Sequence, residues 1–525
     1  MNNMLLARAA VFGVGSLLLL GEVLWLRRSG GAVRLGRGAL AAILVVYMGV
    51  MLFLFANHLR FPLNLDLMES VVLQHIQRAA TFQPIYPQPT PEYVPLSYNP
   101  LFYVLTAPFA WLLGASLPTA RLVAILGALG SAFLMFWIVF KTTRSVWWGF
   151  VSLGLFAAAY RVMDVYLDTA HSDSWLLCTA LLGSYLISLK RSRTWNMAGI
   201  VVLVASFWFK QHGALFLLGG LAYLTWLEGR RSLIYWGVAA LLGPVLYLLA
   251  GPVLFGPAFH FFTWQTPRGW TELTVATVSR YLRFIVISYL PLALVAGAYA
   301  LWSLLKPRQR LTVWVVQFGA ALLSGFMGSL DPGSSNNVYI TMGAWFILLG
   351  VLGLSDFSRR LPQLPRYGLD TLVLIATLTL LLYDPRPLVV SAEAPQRYQE
   401  LVTLLEGLNG PVYAPSLGQL PSGYTLSPAA HWVALEDMIR GPGIDTRDNP
   451  LTRRLLDPAL HPSGAAFILA NYPVEAYPWL EFLNETYVLD TDLGDRFRSL
   501  GVLPKRWDHG FPRYLYRLKT APPIQ

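Results

Sequence analysis

Apolar runs long enough to cross a bilayer recur along this chain as far as about residue 383 and then stop. Each such run, of about 20 residues, must satisfy its own backbone hydrogen bonds once in hydrocarbon, which leaves helices or a closed barrel as the spanning structures. The runs are continuous rather than alternating, so they predict helices. They fall at 5–26, 39–57, 121–140, 146–163, 174–189, 195–209, 213–227, 232–251, 282–304, 311–327, 338–354 and 369–383. The expected fold is therefore a polytopic α-helical membrane protein with about 12 transmembrane helices over residues 1–384, and a soluble domain over 385–525. The first run ends in Glu22, Arg27 and Arg28 with no small-residue cleavage site after it, unlike a removed signal peptide.

Composition agrees. Hydrophobic residues make up 55% of the 525 residues and charged residues 13%, against roughly 25% charged in soluble domains. That excludes a soluble globular protein and a disordered chain. The single cysteine, Cys178, excludes a disulfide scaffold within one chain. The net charge of +11 is unevenly spread. Residues 1–384 hold 26 Lys and Arg against 13 Asp and Glu, and residues 385–525 hold 13 against 15. The excess belongs to membrane loops, so no nucleic-acid partner is expected.

Those loops orient the chain. Arg27, Arg28, Arg34 and Arg37 share one loop, and Lys141 with Arg144, Lys190–Arg193, Arg230 with Arg231, Lys306–Arg310 and Arg359–Arg366 follow on the same side. That side is the expected cytoplasmic one. The opposite face receives 58–120, 164–173, 252–281, 328–337 and the whole tail. Residues 98–114 are apolar, but a crossing there would put two basic loops outside. They are expected to lie as a helix along the outer interface. In the tail, 394–408 has the period of an amphipathic helix ending at Gly410. PVYAP, AAFILAN, TYVLDT and PRYLYRL have the makings of short strands, so an extracytoplasmic α/β domain is expected.

Chemistry-bearing residues collect on the outer face. Asp66 and Glu69 stand at i and i+3, expected on one face of a helix continued by Leu73 and Ile76. They either complement a helix dipole or supply a general base for an attacking hydroxyl. The second outer loop carries Asp164, Asp168, His171 and Asp173. Acids at such depth tend to be functional, although Asp164 also suits a solvated loop. An acid pair such as Asp66 and Asp173, with His171, suits a divalent cation, the one cofactor considered. Lys210 interrupts two apolar runs, where it would bind a phosphate, pair with an acid such as Asp173, or snorkel. Arg268 and Arg280 are candidate phosphate ligands, Arg280 equally a lipid-headgroup anchor. Asn337 lies in a polar turn suited to a sugar, though turn chemistry alone explains its composition. Nucleotide-binding and metalloprotease motifs are absent from the sequence.

Five stretches together resemble the bacterial glycosyltransferases of the GT-C class that use polyprenyl-phosphate sugars, in the group of protein O-mannosyltransferases and lipid A aminoarabinose transferases. They are LDLMESVVLQHIQRAATFQPIY, YVPLSYNPLFYVLTAPFAWLLGASLPTARL, TAHSDSWLLCTALLGSYL, ASFWFKQHGALFLLGGLAYL and GSSNNVYITMGAWFILLG, which cover most of residues 60–355. The resemblance implies a GT-C-like fold. It also implies catalytic acids at Asp66 and Asp173 and a phosphate-binding lysine at Lys210; Tyr98, Asn99, His171 and Asn337 are the expected substrate contacts beside them. This sequence has Asp66-Leu67 where an Asp-Glu pair is commoner, and His171 where many relatives have arginine. The choice of base between Asp66 and Glu69 stays open.

The expected function is transfer of a sugar from a polyprenyl-phosphate-linked donor to a hydroxyl of a glycan, lipid or protein acceptor. It would occur in one inverting step at the extracytoplasmic face of a bacterial cell membrane, with membrane lipids as further partners. The competing expectation is a transporter or flippase of lipid-linked sugars. A transporter would place polar residues near the bilayer midplane and show inverted repeats, and this chain shows no repeat.

Overall fold

The computed structural model describes residues 31–90, 92–362, 368–417, 430–441, 465–477, 480–501, 503 and 510–520. The expected first span, 5–26, lies outside them. The remaining expected spans are all helical, in whole or in large part. The bundle consists of α1 (Gly31–Leu59), α4 (Leu117–Thr143), α5 (Val146–Ala158), α6 (Asp173–Ser188), α7 (Arg193–Phe209), α8 (Gly213–Glu228), α9 (Leu233–Ala240), α10 (Val275–Leu305), α11 (Val313–Ser329), α12 (Ile340–Arg360) and α13 (Leu369–Leu381). Five helical stretches among the described residues are long and apolar enough to cross a bilayer, and four shorter apolar helices accompany them. With the apolar exterior of α10, where Leu282, Val286, Leu294 and Leu301 are exposed, this is a polytopic α-helical membrane protein.

α12 runs through the middle, with a window 94% buried against 28% for α10. Glycines let its neighbours close in: a Cβ on Gly343 would stand 2.5 Å from the Tyr289 hydroxyl. The expected span 232–251 is interrupted. After α9 the chain makes a π-helical turn at Leu241–Val245 that contains Pro244, because proline donates no N–H to the ladder. Trp208 Nε1 donates to the Leu242 carbonyl beside it (2.8 Å).

Two shorter helices, α2 (Glu69–Ala80) and α3 (Leu101–Leu113), lie between α1 and α4. At 1.5 Å per residue, α3 is about 20 Å long, short of the roughly 30 Å of a hydrocarbon core. Trp111 and Leu112 stand exposed at its end, and Trp111 Nε1 bonds the last carbonyl of α2 (2.7 Å).

In the tail, α14 (Ala394–Glu406) and α15 (Trp432–Ile439) accompany a four-stranded sheet. The strands are β1 (Val412–Tyr413), β2 (Phe467–Ala470), β3 (Tyr487–Asp492) and β4 (Tyr514–Leu518), in the order β1-β2-β4-β3. β1 and β2 are parallel and the other pairs antiparallel. All four expected strands form. The tail seats on the ends of α1 and the following loop. Val390 N donates to Asn57 Oδ1 (2.8 Å), His58 Nε2 lies 2.7 Å from the Leu388 carbonyl, and Leu503 N donates to the Leu65 carbonyl (3.2 Å).

Candidate active site

The site is built where α1, α5, α7 and α11 end and α2, α4, α6, α8 and α12 begin. The loop of residues 60–68 enters it. The sequence pattern predicts Asp66 and Glu69 on one helix face, but α2 begins only at Glu69. Asp66 stands in the preceding turn, closed by Glu69 N donating to the Asp66 carbonyl (3.2 Å). The two carboxylates consequently face different partners.

Glu69 points inward to Arg121 in α4, and both side chains are fully buried. Arg121 Nε and Nη2 donate to its two oxygens (3.0 and 2.6 Å). Leu65 N (2.6 Å) and Ala170 N (2.8 Å) complete its shell. The remaining Arg121 donors meet the carbonyls of His58, Phe61 and Leu63. All five N–H groups of the guanidinium are thus used. The pair ties together the end of α1, the 60–68 loop, α4 and the 159–172 segment. The expectation of Glu69 as a catalytic acid meets a carboxylate wholly engaged in holding four chain segments.

Asp66 is also buried, at 2% exposure. Tyr166 OH donates to Oδ1 (2.8 Å), His171 Nε2 lies 2.9 Å from Oδ2, and Met68 N donates to Oδ2 (3.1 Å). Burial, followed by the charges of Asp66 and Asp164, pushes the Tyr166 phenol well above its ordinary value. Tyr166 therefore stays a donor to Asp66. The segment that delivers it is bent through two left-handed residues, Asp164 (φ 60°) and Val165 (φ 65°). A β-branched residue there is a backbone outlier of the kind found at functional sites. Asp164, a candidate solvated charge in the sequence, is buried between Arg161 Nη1 (3.1 Å) and Asn336 N (3.1 Å). Asp168 pairs with His58 (2.7 Å) and accepts from Tyr160 OH (2.6 Å).

A second buried pair lies nearby. Lys210 Nζ donates to Asp173 Oδ1 (2.7 Å), and Asn337 Nδ2 reaches Oδ2 at 3.4 Å. Asp173 sits in the first turn of α6, where the helix dipole favours an anion. Lys210 is the extended residue that ends α7. It holds that place because Gly213 lets α8 start against α7. A Cβ on Gly213 would fall 2.2 Å from the Ser206 backbone.

Tyr98 joins the two pairs. Lys210 Nζ lies 5.3 Å from its ring centre, and the ring meets His171 edge-on with centroids 6.4 Å apart. The strand of loop that carries it is pinned from several sides. Gln211 Nε2 donates to Ser97 O (2.8 Å) and Asn99 Nδ2 to Phe207 O (2.6 Å). Leu96 N donates to His75 Nε2 (3.0 Å), a neutral imidazole whose pKa burial pushes down to about 3. Asn99 keeps a buried carbonyl oxygen, Oδ1, without a hydrogen-bond partner.

Of the residues predicted from sequence, Asp66, Glu69, Tyr98, His171, Asp173, Lys210 and Asn337 are thus linked directly or through one another, and Asn99 adjoins Tyr98. The candidate phosphate ligand Arg280 goes elsewhere. Its Nη1 and Nη2 bond the carbonyls of Ser329, Asp331, Pro332 and Ser334, so it shapes the 329–334 turn. Arg268 is exposed at the end of a short helix, Thr266–Gly269. The expected cation site at Asp66, Asp173 and His171 is not assembled. Among the described residues no group of three or more His, Cys, Asp or Glu is arranged to hold a metal. Asp66 faces His171 and Tyr166, and Asp173 faces Lys210.

Sequence reasoning passed over Arg121 and Tyr166. Arg121 carried a signal: it is a lone arginine at the outer-face end of an apolar run, against the charge asymmetry of the other loops. Tyr166 lay among other loop residues and carried none.

No family profile matches the chain, and no curated protein matches it. Among solved structures it is similar to ArnT from Cupriavidus metallidurans bound to undecaprenyl phosphate, at 14% identity and TM-score 0.48, over 91% of this chain and 99% of that one. The apo form of the same protein aligns at 13% identity and TM-score 0.47, over 90% and 97%. The oligosaccharyltransferase of Archaeoglobus fulgidus, complexed with Zn and sulfate, aligns at 12% identity and TM-score 0.46, over 82% of this chain and 68% of that one.

Proposed function

We propose that this protein is an integral membrane glycosyltransferase that moves a sugar from a polyprenyl-phosphate-linked donor to an acceptor hydroxyl at the extracytoplasmic face. The observation that carries this reading is the presence of two buried polar pairs, Asp66–His171 and Lys210–Asp173, joined through Tyr98 at one end of a membrane bundle. A lipid phosphate arriving along an apolar exterior needs a cation at the depth of its headgroup, and Lys210 supplies one. An acceptor hydroxyl needs a group to take its proton, and the Asp66–His171 pair supplies that.

In the proposed step the acceptor oxygen forms a bond to the anomeric carbon as the bond from that carbon to the phosphate oxygen breaks. The electron pair leaves on the phosphate, and the acceptor proton passes to the Asp66–His171 pair. One displacement inverts the anomeric centre. Lys210 stabilises the charge that gathers on the leaving phosphate, and Asp173 orients Lys210. Enclosure of the site keeps water from competing as acceptor.

The test is incubation of the purified protein with a panel of polyprenyl-phosphate sugars and candidate acceptors, measuring release of polyprenyl phosphate. Release is expected with at least one donor. No release across the panel, together with transport of an intact lipid-linked sugar between leaflets of proteoliposomes, would replace this reading with that of a flippase.

A further inference from the structure

Residues 330–339, which join α11 to α12, touch both halves of the site. Asn336 N donates to Asp164 Oδ2 (3.1 Å), the acid that opens the left-handed bend before Tyr166. Asn337 Nδ2 donates to Asp173 Oδ2 (3.4 Å), whose other oxygen accepts from Lys210 Nζ (2.7 Å). The connection is tethered at its other end. Arg280 of α10 bonds the carbonyls of Ser329, Asp331, Pro332 and Ser334 and the Ser334 hydroxyl. Asp331 Oδ1 accepts from Gly333 N (2.9 Å), which closes the first bend.

A further tether comes from the tail. Arg440, the residue after α15, pairs with Asp331, and both side chains are partly buried, where an ion pair is screened less than in open solvent. The guanidinium lies against Gly333, where a Cβ would stand 2.7 Å from Nη1, and over the Trp270 ring at 5.6 Å. The end of α15 is itself seated on the membrane part. Trp270 Nε1 donates to the Asp437 carbonyl (3.0 Å). Gly441 packs on Thr266 so closely that a Cβ would stand 3.2 Å from its methyl carbon. Contacts therefore run without a break from Arg440 to Asp331, along the connection to Asn337, and through Asp173 to Lys210.

We propose that Arg440 is a positioning residue for the lipid phosphate: through Asp331 and Asn337 it holds Asp173, and through Asp173 the Lys210 ammonium. The tail thereby sets the phosphate-binding geometry of the membrane part. This rests on the glycosyl-transfer reading above, in which Lys210 meets the phosphate. In this role Arg440 touches neither donor nor acceptor.

The experiment measures dissociation constants of the full-length protein in detergent for polyprenyl phosphate and for polyprenol. Wild type should bind polyprenyl phosphate more tightly. Arg440→Ala should cut that phosphate-dependent preference about fivefold, within the range of coupling carried by packed contacts, and leave polyprenol binding unchanged. Asp331→Asn keeps the acceptor for Gly333 N and loses the charge that holds Arg440, so it should cut the preference too. The double variant should be no worse than Arg440→Ala alone, since both remove one interaction. Arg440→Lys keeps a cation for the single contacting oxygen of Asp331 and should retain most of the preference. Arg440→Ala removes a positive charge and Asp331→Asn a negative one. A direct field on the phosphate would therefore weaken binding in the first and tighten it in the second. Such opposite changes would overturn the proposal. So would an unchanged preference in either single variant, additive losses in the double variant, or a lysine variant as damaging as alanine. Equal loss of polyprenol binding, which marks a structural role, would also overturn it. If wild type does not distinguish polyprenyl phosphate from polyprenol, the glycosyl-transfer reading fails and this proposal falls with it. If it does and the variants behave as wild type, only the role of Arg440 falls.

Discussion

An arginine whose five donors all meet acceptors cannot join a reaction without dismantling its surroundings, and Glu69 shares that enclosure. Glu69→Gln leaves the fully buried Arg121 charge uncompensated, which costs about 3–5 kcal/mol for a buried pair. The expected outcome is a large fall in thermal stability and in yield, with turnover lost in proportion to folded protein. A well-folded Glu69→Gln protein with normal stability and no turnover would return Glu69 to the chemistry. Asp66 behaves oppositely. Its partners include a histidine, a phenol and a backbone N–H, so Asp66→Asn keeps the shape and removes the base. Turnover should fall about a hundredfold or more, the usual scale of general-base catalysis, while donor affinity and melting temperature hold. Near-normal turnover would move the proton to another group. The sequence allowed both carboxylates to be singled out but not told apart. Their division follows from where α2 starts, and a three-residue spacing says nothing of that when one of the residues lies before the helix.

At the scale of elements, the apolar runs and the strands of the tail were legible because period and length alone specify them. The departures have local causes, such as Pro244 turning an expected straight span into a π-helical one. The placing of Lys210 was not legible, because it depends on how closely α7 and α8 approach, and that depends on Gly213. Gly213→Ala would set a Cβ 2.2 Å from the Ser206 backbone. The helices must shift, at about 1–3 kcal/mol for an overpacked contact, and Lys210 must move with them. The expected result is a lower melting temperature and weaker binding of polyprenyl phosphate. Gly319→Ala in α11, where nothing stands within 4 Å of the added carbon, should be neutral or stabilising by up to about 1 kcal/mol. Equal behaviour of the two variants in thermal unfolding and lipid binding would show that Gly213 does not position the lysine.

Over the whole molecule, helix direction and charge sort together. α1 begins among basic residues and ends at His58 and the site. α4 begins at the site and ends at Lys141, and α6 begins at Asp173 and ends before Lys190. α8 begins beside Lys210 and ends before Arg230, and α12 begins at the 336–339 turn and ends at Arg359 and Arg360. At that far end Arg37 pairs with Asp370 (2.7 Å), and Arg310 and Arg360 lie over the Trp302 ring at 3.4 and 4.6 Å. One end of the bundle thus carries most of the lysines and arginines of the described loops, and the other carries the buried pairs of Asp66, Glu69 and Asp173 and the seat of the tail. Membrane insertion keeps lysine and arginine loops in the cytoplasm, so the site and residues 385–525 should lie outside it. A reporter active only in the cytoplasm, fused after Gln525, is expected to be silent, and the same reporter placed between Lys190 and Arg193 is expected to be active. The reverse pattern would put the site on the cytoplasmic face. A lipid-linked donor would then have to be used on the side where the basic loops lie, and the proposed extracytoplasmic transfer would be wrong however the site residues behave.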